Sequence, residues 1–92
     1  MMYNCVQIHN IMSDFEKNSL EIELKAFASR NFEQPSDCRN PDQILFYIRE
    51  LCLKIEEYQQ RFNYVPTVAY SLLAQYNARQ NSIVHQEFLQ TY

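Results

Sequence analysis

The residues of this 92-residue chain that could support catalysis or bind a metal are few and poorly spaced. Neither histidine, His9 or His85, has a residue of ligand type three or four positions after it, as a metal-binding helix would need. Pairs of acidic residues lie one or two positions apart, at Glu56/Glu57 and Glu21/Glu23. Neighbours one or two positions apart on a helix point in different directions, so these carboxylates cannot converge on a substrate and are expected to be solvated. We therefore expect no metal, no cofactor and no enzymatic activity.

The chain has three cysteines, Cys5, Cys38 and Cys52, with no CxxC spacing. An odd number of cysteines without a metal motif is typical of reduced thiols in a cytoplasmic protein. We expect Cys52 to be a small core residue, whereas Cys38, in a polar stretch, could be exposed, with an unreactive thiol favoured over a reactive one. The N-terminal residues lack the basic and apolar regions of an export signal, and no stretch is apolar enough to span a membrane.

Glycine is absent from the sequence, which removes the residue that adopts positive φ most freely. Glycine-rich phosphate-binding loops are therefore excluded, and tight hairpin turns are disfavoured. The hydrophobic content of 47%, with seven tyrosines and six phenylalanines, is that of a folded chain. A net charge of −3 supplies no overall positive field for nucleic acids.

The clearest element is a helix over residues 41–63. Large apolar residues recur there at spacings of four and three, at Ile44, Ile48, Leu51, Ile55, Tyr58 and Phe62. Asn40 can cap this helix, Pro41 suits its first position, and Asn63 can end it in the left-handed conformation. Leu45, Phe46 and Tyr47 make its first turns apolar on nearly all sides, so we expect it to be the central, most enclosed helix.

Two further segments have helical patterns. Ser13 and Glu16 form a capping-box motif, which predicts a helix that begins there and fades near residues 30–32. Another helix is expected from Pro66 or Thr67. The segment from Ser82 either begins a new helix or continues this one, and a break at residues 77–81 is favoured over a continuous helix. The sequence thus predicts an all-α bundle of three to four helices. We expect the chain to consist of an irregular arm at residues 1–12 and a single helical domain at residues 13–92.

The last third of the chain is rich in aromatic residues and carries only two charges, Arg79 and Glu87. Aromatic side chains without nearby charge are typical of the desolvated centre of protein interfaces. The sequence therefore predicts a partner-binding surface at Tyr70, Tyr76 and Phe88, although the same aromatics could form the chain's own core. The expected role is a regulatory or adaptor module that forms a homodimer and binds another, unidentified protein, with no small-molecule substrate.

An alternative interpretation concerns residues 66–90. Pro66 begins a helix, Asn77 could end it, and Ile83 on the following segment could pack back on the first. This order resembles the helix-turn-helix core of bacterial winged-helix regulators, with Asn77 at a position where those families usually have glycine. The resemblance implies a DNA-binding transcriptional regulator. Its recognition residues would be Arg79, Gln80, Asn81, His85 and Gln86, of types that can read base edges.

Overall fold

The structure, a computed structural model, describes the backbone of residues 12–91 and the side chains of residues 12–86. This part of the chain forms three α-helices and no strand. The helices are α1 (Asp14–Asn31), α2 (Pro41–Phe62) and α3 (Thr67–Thr91), and a 3-10 turn at Pro35–Asp37 lies between the first two. The prediction of an all-α fold is confirmed for these residues. The predicted arm lies outside them except for Met12, which is half-buried.

The helix ends follow the local sequence. The Ser13 hydroxyl accepts a hydrogen bond from the Glu16 amide at 3.1 Å, and the Glu16 carboxylate accepts one from the Ser13 amide at 3.0 Å. Asn40 accepts from the Asp42 amide at 2.9 Å at the start of α2. Asn63 ends that helix with φ 54° and ψ 32°, the left-handed conformation that asparagine tolerates better than most residues. All three predictions are confirmed.

Helix α3 begins differently, because Pro66 precedes it and offers no side-chain acceptor. Glu21 of α1 supplies the missing acceptor. Its carboxylate accepts from the amides of Thr67 at 2.6 Å and Val68 at 3.0 Å, and from the Thr67 hydroxyl at 3.0 Å. The first amides of a helix have no partner within the helix and favour negative charge, so a side chain from another helix completes α3.

The three helices pack side by side, with α1 and α3 parallel and α2 antiparallel to both. Glu21 lies at the start of α3, and the Tyr76 hydroxyl farther along α3 donates to the carbonyl of Glu33, just after α1. Gln80, farther still, reaches the carbonyl of Pro41 at the start of α2. Helix α3 packs against α1, α2 and the 3-10 turn, whereas the backbones of α1 and α2 have no comparably close approach. The prediction that the helix over 41–63 is central is therefore wrong, and α3 is the central helix.

Helix α3 runs without interruption through residues 77–81, so the predicted break there is wrong. Arg79 donates to the carbonyl of Cys38 at 2.8 Å, and Ile83 is buried in the core one turn later. These residues share one helical face with Tyr76, which keeps its contacts only if the helix continues. Tertiary contacts thus favour a helical conformation for residues 77–81, although their polar sequence is typical of a turn.

The core consists of two groups of side chains. Buried members of the first come from α2, α3 and the turn before α2: Cys38, Ile44, Tyr47, Leu51, Tyr76 and Ile83. Those of the second join all three helices: Leu20, Leu24, Tyr58 and Ala69. Of the six apolar positions predicted to face inward on α2, Ile44, Leu51 and Tyr58 are buried and the other three are half-buried. Tyr47, which the spacing rule did not select, is also buried.

Candidate interaction surface

The three predicted partner-binding aromatics do not share one surface. The Tyr70 side chain is 53% exposed, but that of Tyr76 is 1% exposed and lies among core residues of α2 and α3. Burial raises the pKa of Tyr76 to about 12, and its ring packs 5.4 Å from that of Tyr47. An exposed Tyr76 is therefore a wrong prediction, because its inward position on α3 leaves it no access to a partner. The Phe88 side chain lies outside the described side chains.

Of the five residues predicted for DNA recognition, two bind the protein's own backbone and three are exposed. Arg79 and Gln80 are half-buried and donate to backbone carbonyls, at 2.8 Å to Cys38 and at 3.4 Å to Pro41. The others are exposed on α3: Asn81, His85 and Gln86. A helix-turn-helix needs a turn between its two helices, and α3 is continuous at that place. The arrangement that the resemblance implied is therefore absent.

The prediction that Cys52 is a core residue is wrong, and the possibility that Cys38 is exposed is not realised. Cys38 is fully buried and its thiol donates to the Gln34 carbonyl at 3.4 Å, whereas Cys52 is exposed on α2. Burial, with a smaller effect of the Glu33 charge, raises the pKa of the Cys38 thiol. A buried, protonated thiol is a poor nucleophile, so Cys38 is a core residue. The prediction for Cys5 lies outside the described residues.

Two of the carboxylates expected to be solvated, the half-buried Glu21 and the exposed Glu23, also accept hydrogen bonds from other parts of the fold. Besides α3, Glu21 accepts from the Tyr64 hydroxyl at 2.7 Å, and Glu23 accepts from the Tyr58 hydroxyl at 2.6 Å. Partial burial acts to raise the pKa of Glu21, but the hydrogen bonds it accepts from Tyr64 and from the start of α3 outweigh burial, and the pKa lies below its usual 4.5. These carboxylates hold the bundle together. Within residues 12–86, no three histidine, cysteine or acidic side chains converge on a possible metal position.

An open groove of about 410 Å³ runs between the C-terminal half of α1 and the N-terminal half of α3. Apolar side chains at its base are flanked by Lys25, Ser29, Glu33 and Gln75. The buried side-chain nitrogen and oxygen atoms of the described residues all have hydrogen-bond partners. The four polar side chains at the rim are exposed, so this groove has no buried polar group that would direct a ligand.

One exposed apolar surface lies on the side of α2 that faces away from the core. Phe46 is 49% exposed and Leu53 is 56% exposed, and the two are seven residues apart on the same row. We call this row the outer seam; its residues recur at spacings of three and four and are all exposed: Phe46, Arg49, Leu53, Glu56 and Gln60. Leu45 and Cys52, also exposed, lie beside it. This helix therefore has apolar residues on two opposite faces.

The apolar residues around the first turns of α2 predict a helix enclosed on nearly all sides. This prediction is wrong, because Leu45 and Phe46 are exposed. Periodicity shows that a helix has two apolar faces, but not how many neighbours the fold supplies to cover them. Here α1 and α3 both pack on the inner face, and no element in the described part of the chain covers the outer seam.

Comparisons with models of protein families, with curated proteins and with solved structures find no match to this chain. None of the helices in the described part of the chain has both the length and the apolar run needed to cross a bilayer.

Proposed function

We propose that this protein is a small helical protein–protein interaction module of regulatory or adaptor type that associates with a second copy of itself. The observation that carries the proposal is the outer seam of α2, where Phe46 and Leu53 present large apolar side chains to solvent. Leu45, 44% exposed, widens the same surface. Exposed apolar side chains gathered on one helix face are typical of contact surfaces, whereas scattered ones are ordinary.

Size also favours association. A chain of 92 residues buries a modest core, and among the described residues no element covers the outer face of α2, so a second chain would add burial there. A second copy of the same chain meets this need with one surface used twice, which is the commonest form of soluble oligomer. The side of α3 that carries the exposed Tyr70 remains available for a different protein in this proposal.

The test is the mass of the protein in solution, measured by sedimentation equilibrium at micromolar concentrations. We expect an average mass that rises with concentration toward twice the chain mass of 11.1 kDa. Replacement of an exposed apolar residue on α1, as in Ile22→Asp, is the control and should leave this behaviour unchanged, since Ile22 lies on another helix. A mass that stays at the monomer value across the range contradicts the proposal.

The second partner is tested on Tyr70. Tyr70→Asp should leave the mass of the dimer unchanged and abolish retention of any protein that the wild-type chain retains on an affinity column. A bound protein that is retained equally by the variant would place the second contact elsewhere.

A further inference from the structure

The outer seam carries two opposite charges between its apolar residues. Arg49 and Glu56 lie seven residues apart, so about 10 Å of helix separates them along one face. Both are exposed, and among the described residues neither takes part in a salt bridge, whereas the nearby Glu57 pairs with Lys54 and Arg61. The midpoint between Arg49 and Glu56 falls between Cys52 and Leu53, at the apolar centre of the seam.

In a homodimer with a two-fold axis, every contact is made twice with the roles of the two copies exchanged. A contact from Arg49 of one copy to Glu56 of the other is therefore accompanied by the contact from Glu56 of the first to Arg49 of the second. From the arrangement of charges about Leu53 we infer that the protein forms an antiparallel homodimer through the outer seam of α2, with Arg49 of each copy facing Glu56 of the other. The inference rests on the proposed self-association and specifies its surface and direction. Leu53 packs near the axis, and Phe46 lies over the aliphatic part of Gln60 at each end.

The opposite direction is disfavoured by the same charges. In a parallel pair of α2 helices in register, Arg49 would face Arg49 and Glu56 would face Glu56, and like charges at contact distance repel. The antiparallel direction converts both contacts into attraction. The seam carries both a positive and a negative charge beside its apolar residues, so it is complementary to a second copy of itself in the antiparallel direction.

The experiment reverses the charges one at a time. Arg49→Glu and Glu56→Arg each place two pairs of like charges across the axis of the antiparallel dimer, so the dissociation constant of each variant should rise about tenfold at low salt. The double variant restores both pairs and should recover the wild-type constant. An equimolar mixture of the two single variants should also recover it, because every pair in the mixed dimer is again of opposite sign.

Arg39→Glu, which makes the same change of net charge as Arg49→Glu but on the exposed loop before α2, is the matched control for that variant and should leave the constant unchanged. Sedimentation equilibrium of each variant, with circular dichroism to verify helix content, measures all of these outcomes. A wild-type dimer that tolerates both single variants, or one that both weaken without recovery in the double variant, overturns the antiparallel seam and leaves the proposed self-association intact. A monomeric wild-type chain overturns both.

Discussion

Glu21 joins parts of the chain that are far apart in sequence. Its carboxylate accepts four hydrogen bonds, from Tyr64, Thr67 and Val68, at donor–acceptor distances between 2.6 and 3.0 Å. Hydrogen bonds to a charged acceptor are stronger than those between neutral groups, and the positive end of the α3 dipole adds to the attraction. This one side chain thereby fixes the position of α1 relative to the start of α3.

Replacement of Glu21 by glutamine should lower the free energy of unfolding by about 1 to 2 kcal/mol, the usual cost of losing a helix cap. The amide has one acceptor oxygen instead of two and turns an NH₂ group toward backbone donors. Urea denaturation followed by circular dichroism measures the change. Glu23→Gln is the control, since Glu23 accepts one hydrogen bond that an amide oxygen can still accept, and a larger loss there than at Glu21 would contradict this account.

Leu51 and Ile22 provide a comparison between a core and a surface aliphatic residue. Leu51 is fully buried in the first core group, whereas Ile22 on α1 is 60% exposed. Leu51→Ala should cost about 2 to 5 kcal/mol because it removes buried methyl groups and leaves a cavity. Ile22→Ala should change the stability by less than about 0.5 kcal/mol. Equal denaturation midpoints for the two variants would contradict the assignment of Leu51 to the core.

At the scale of the elements, two asparagines that both looked like helix stops behave differently. Asn63 has a positive φ of 54° and ends α2, and its side-chain oxygen accepts from the Gln59 side chain at 2.9 Å. Asn77, expected to end a helix in the same way, is exposed within α3. Alanine is a poor residue for the left-handed conformation and the best residue for a helix interior.

Alanine should therefore shift stability in opposite directions at these two sites. Asn63→Ala should destabilise the protein by about 1 kcal/mol, and Asn77→Ala should stabilise it by about 0.5 kcal/mol. Thermal denaturation of the two variants beside wild type measures both shifts. If Asn77→Ala destabilises as much as Asn63→Ala does, residues 77–81 form a turn and the continuous helix is incorrect.

The parts of the fold that depend on local sequence could be predicted from it. The capping box at Ser13, the Asn40 cap and the Asn63 stop are decided by residues within four positions of each other, and each prediction is confirmed. The course of α3 through residues 77–81 could not be predicted, because it depends on contacts of Arg79 and Gln80 with the segment before α2. Propensity gives no access to such long-range partners.

The candidate surface was harder to predict than the fold. Whether Tyr76 and Cys38 are exposed depends on which elements meet, and both are buried because the turn before α2 packs against α3. The outer seam had a detectable signal in the seven-residue spacing of Phe46 and Leu53. Its meaning depended on the number of helices available to cover it, which periodicity does not provide.

At the scale of the whole molecule, the shifted pKa values define a range of pH in which the fold is most stable. On the acid side, Glu21 has a folded pKa below 4.5, so its stabilisation is complete above that value and is lost as the pH falls through the folded pKa. On the alkaline side, the pKa of Tyr76 is raised from 10 to about 12, and burial with the hydrogen bond to Glu23 raises that of Tyr58. Their stabilisation is complete below pH 10 and is lost as the pH rises through the folded values.

The free energy of unfolding should therefore stay nearly constant from about pH 5 to about pH 9 and fall on both sides. Urea denaturation within this range of pH and on both sides of it measures the profile. The acid limb should be shallower in Glu21→Gln, which has no carboxyl group to protonate at this position. An acid limb unchanged in that variant would show that other carboxyl groups cause the loss.

The hydrogen bonds that Glu21 accepts from the start of α3 also provide a way to detect detachment of α1 from the other two helices. The amides of Thr67 and Val68 bond to a side chain 46 and 47 residues earlier, whereas the amide of Ala69 bonds locally to the carbonyl of Pro66. Whenever α1 detaches while α2 and α3 remain paired, the first two amides lose their acceptor and the third keeps its own. Hydrogen exchange should therefore be faster at Thr67 and Val68 than at Ala69, by an amount that measures how often the first helix leaves. Exchange at these two positions thus reports the attachment of α1 separately from global unfolding, in a chain that carries no added label.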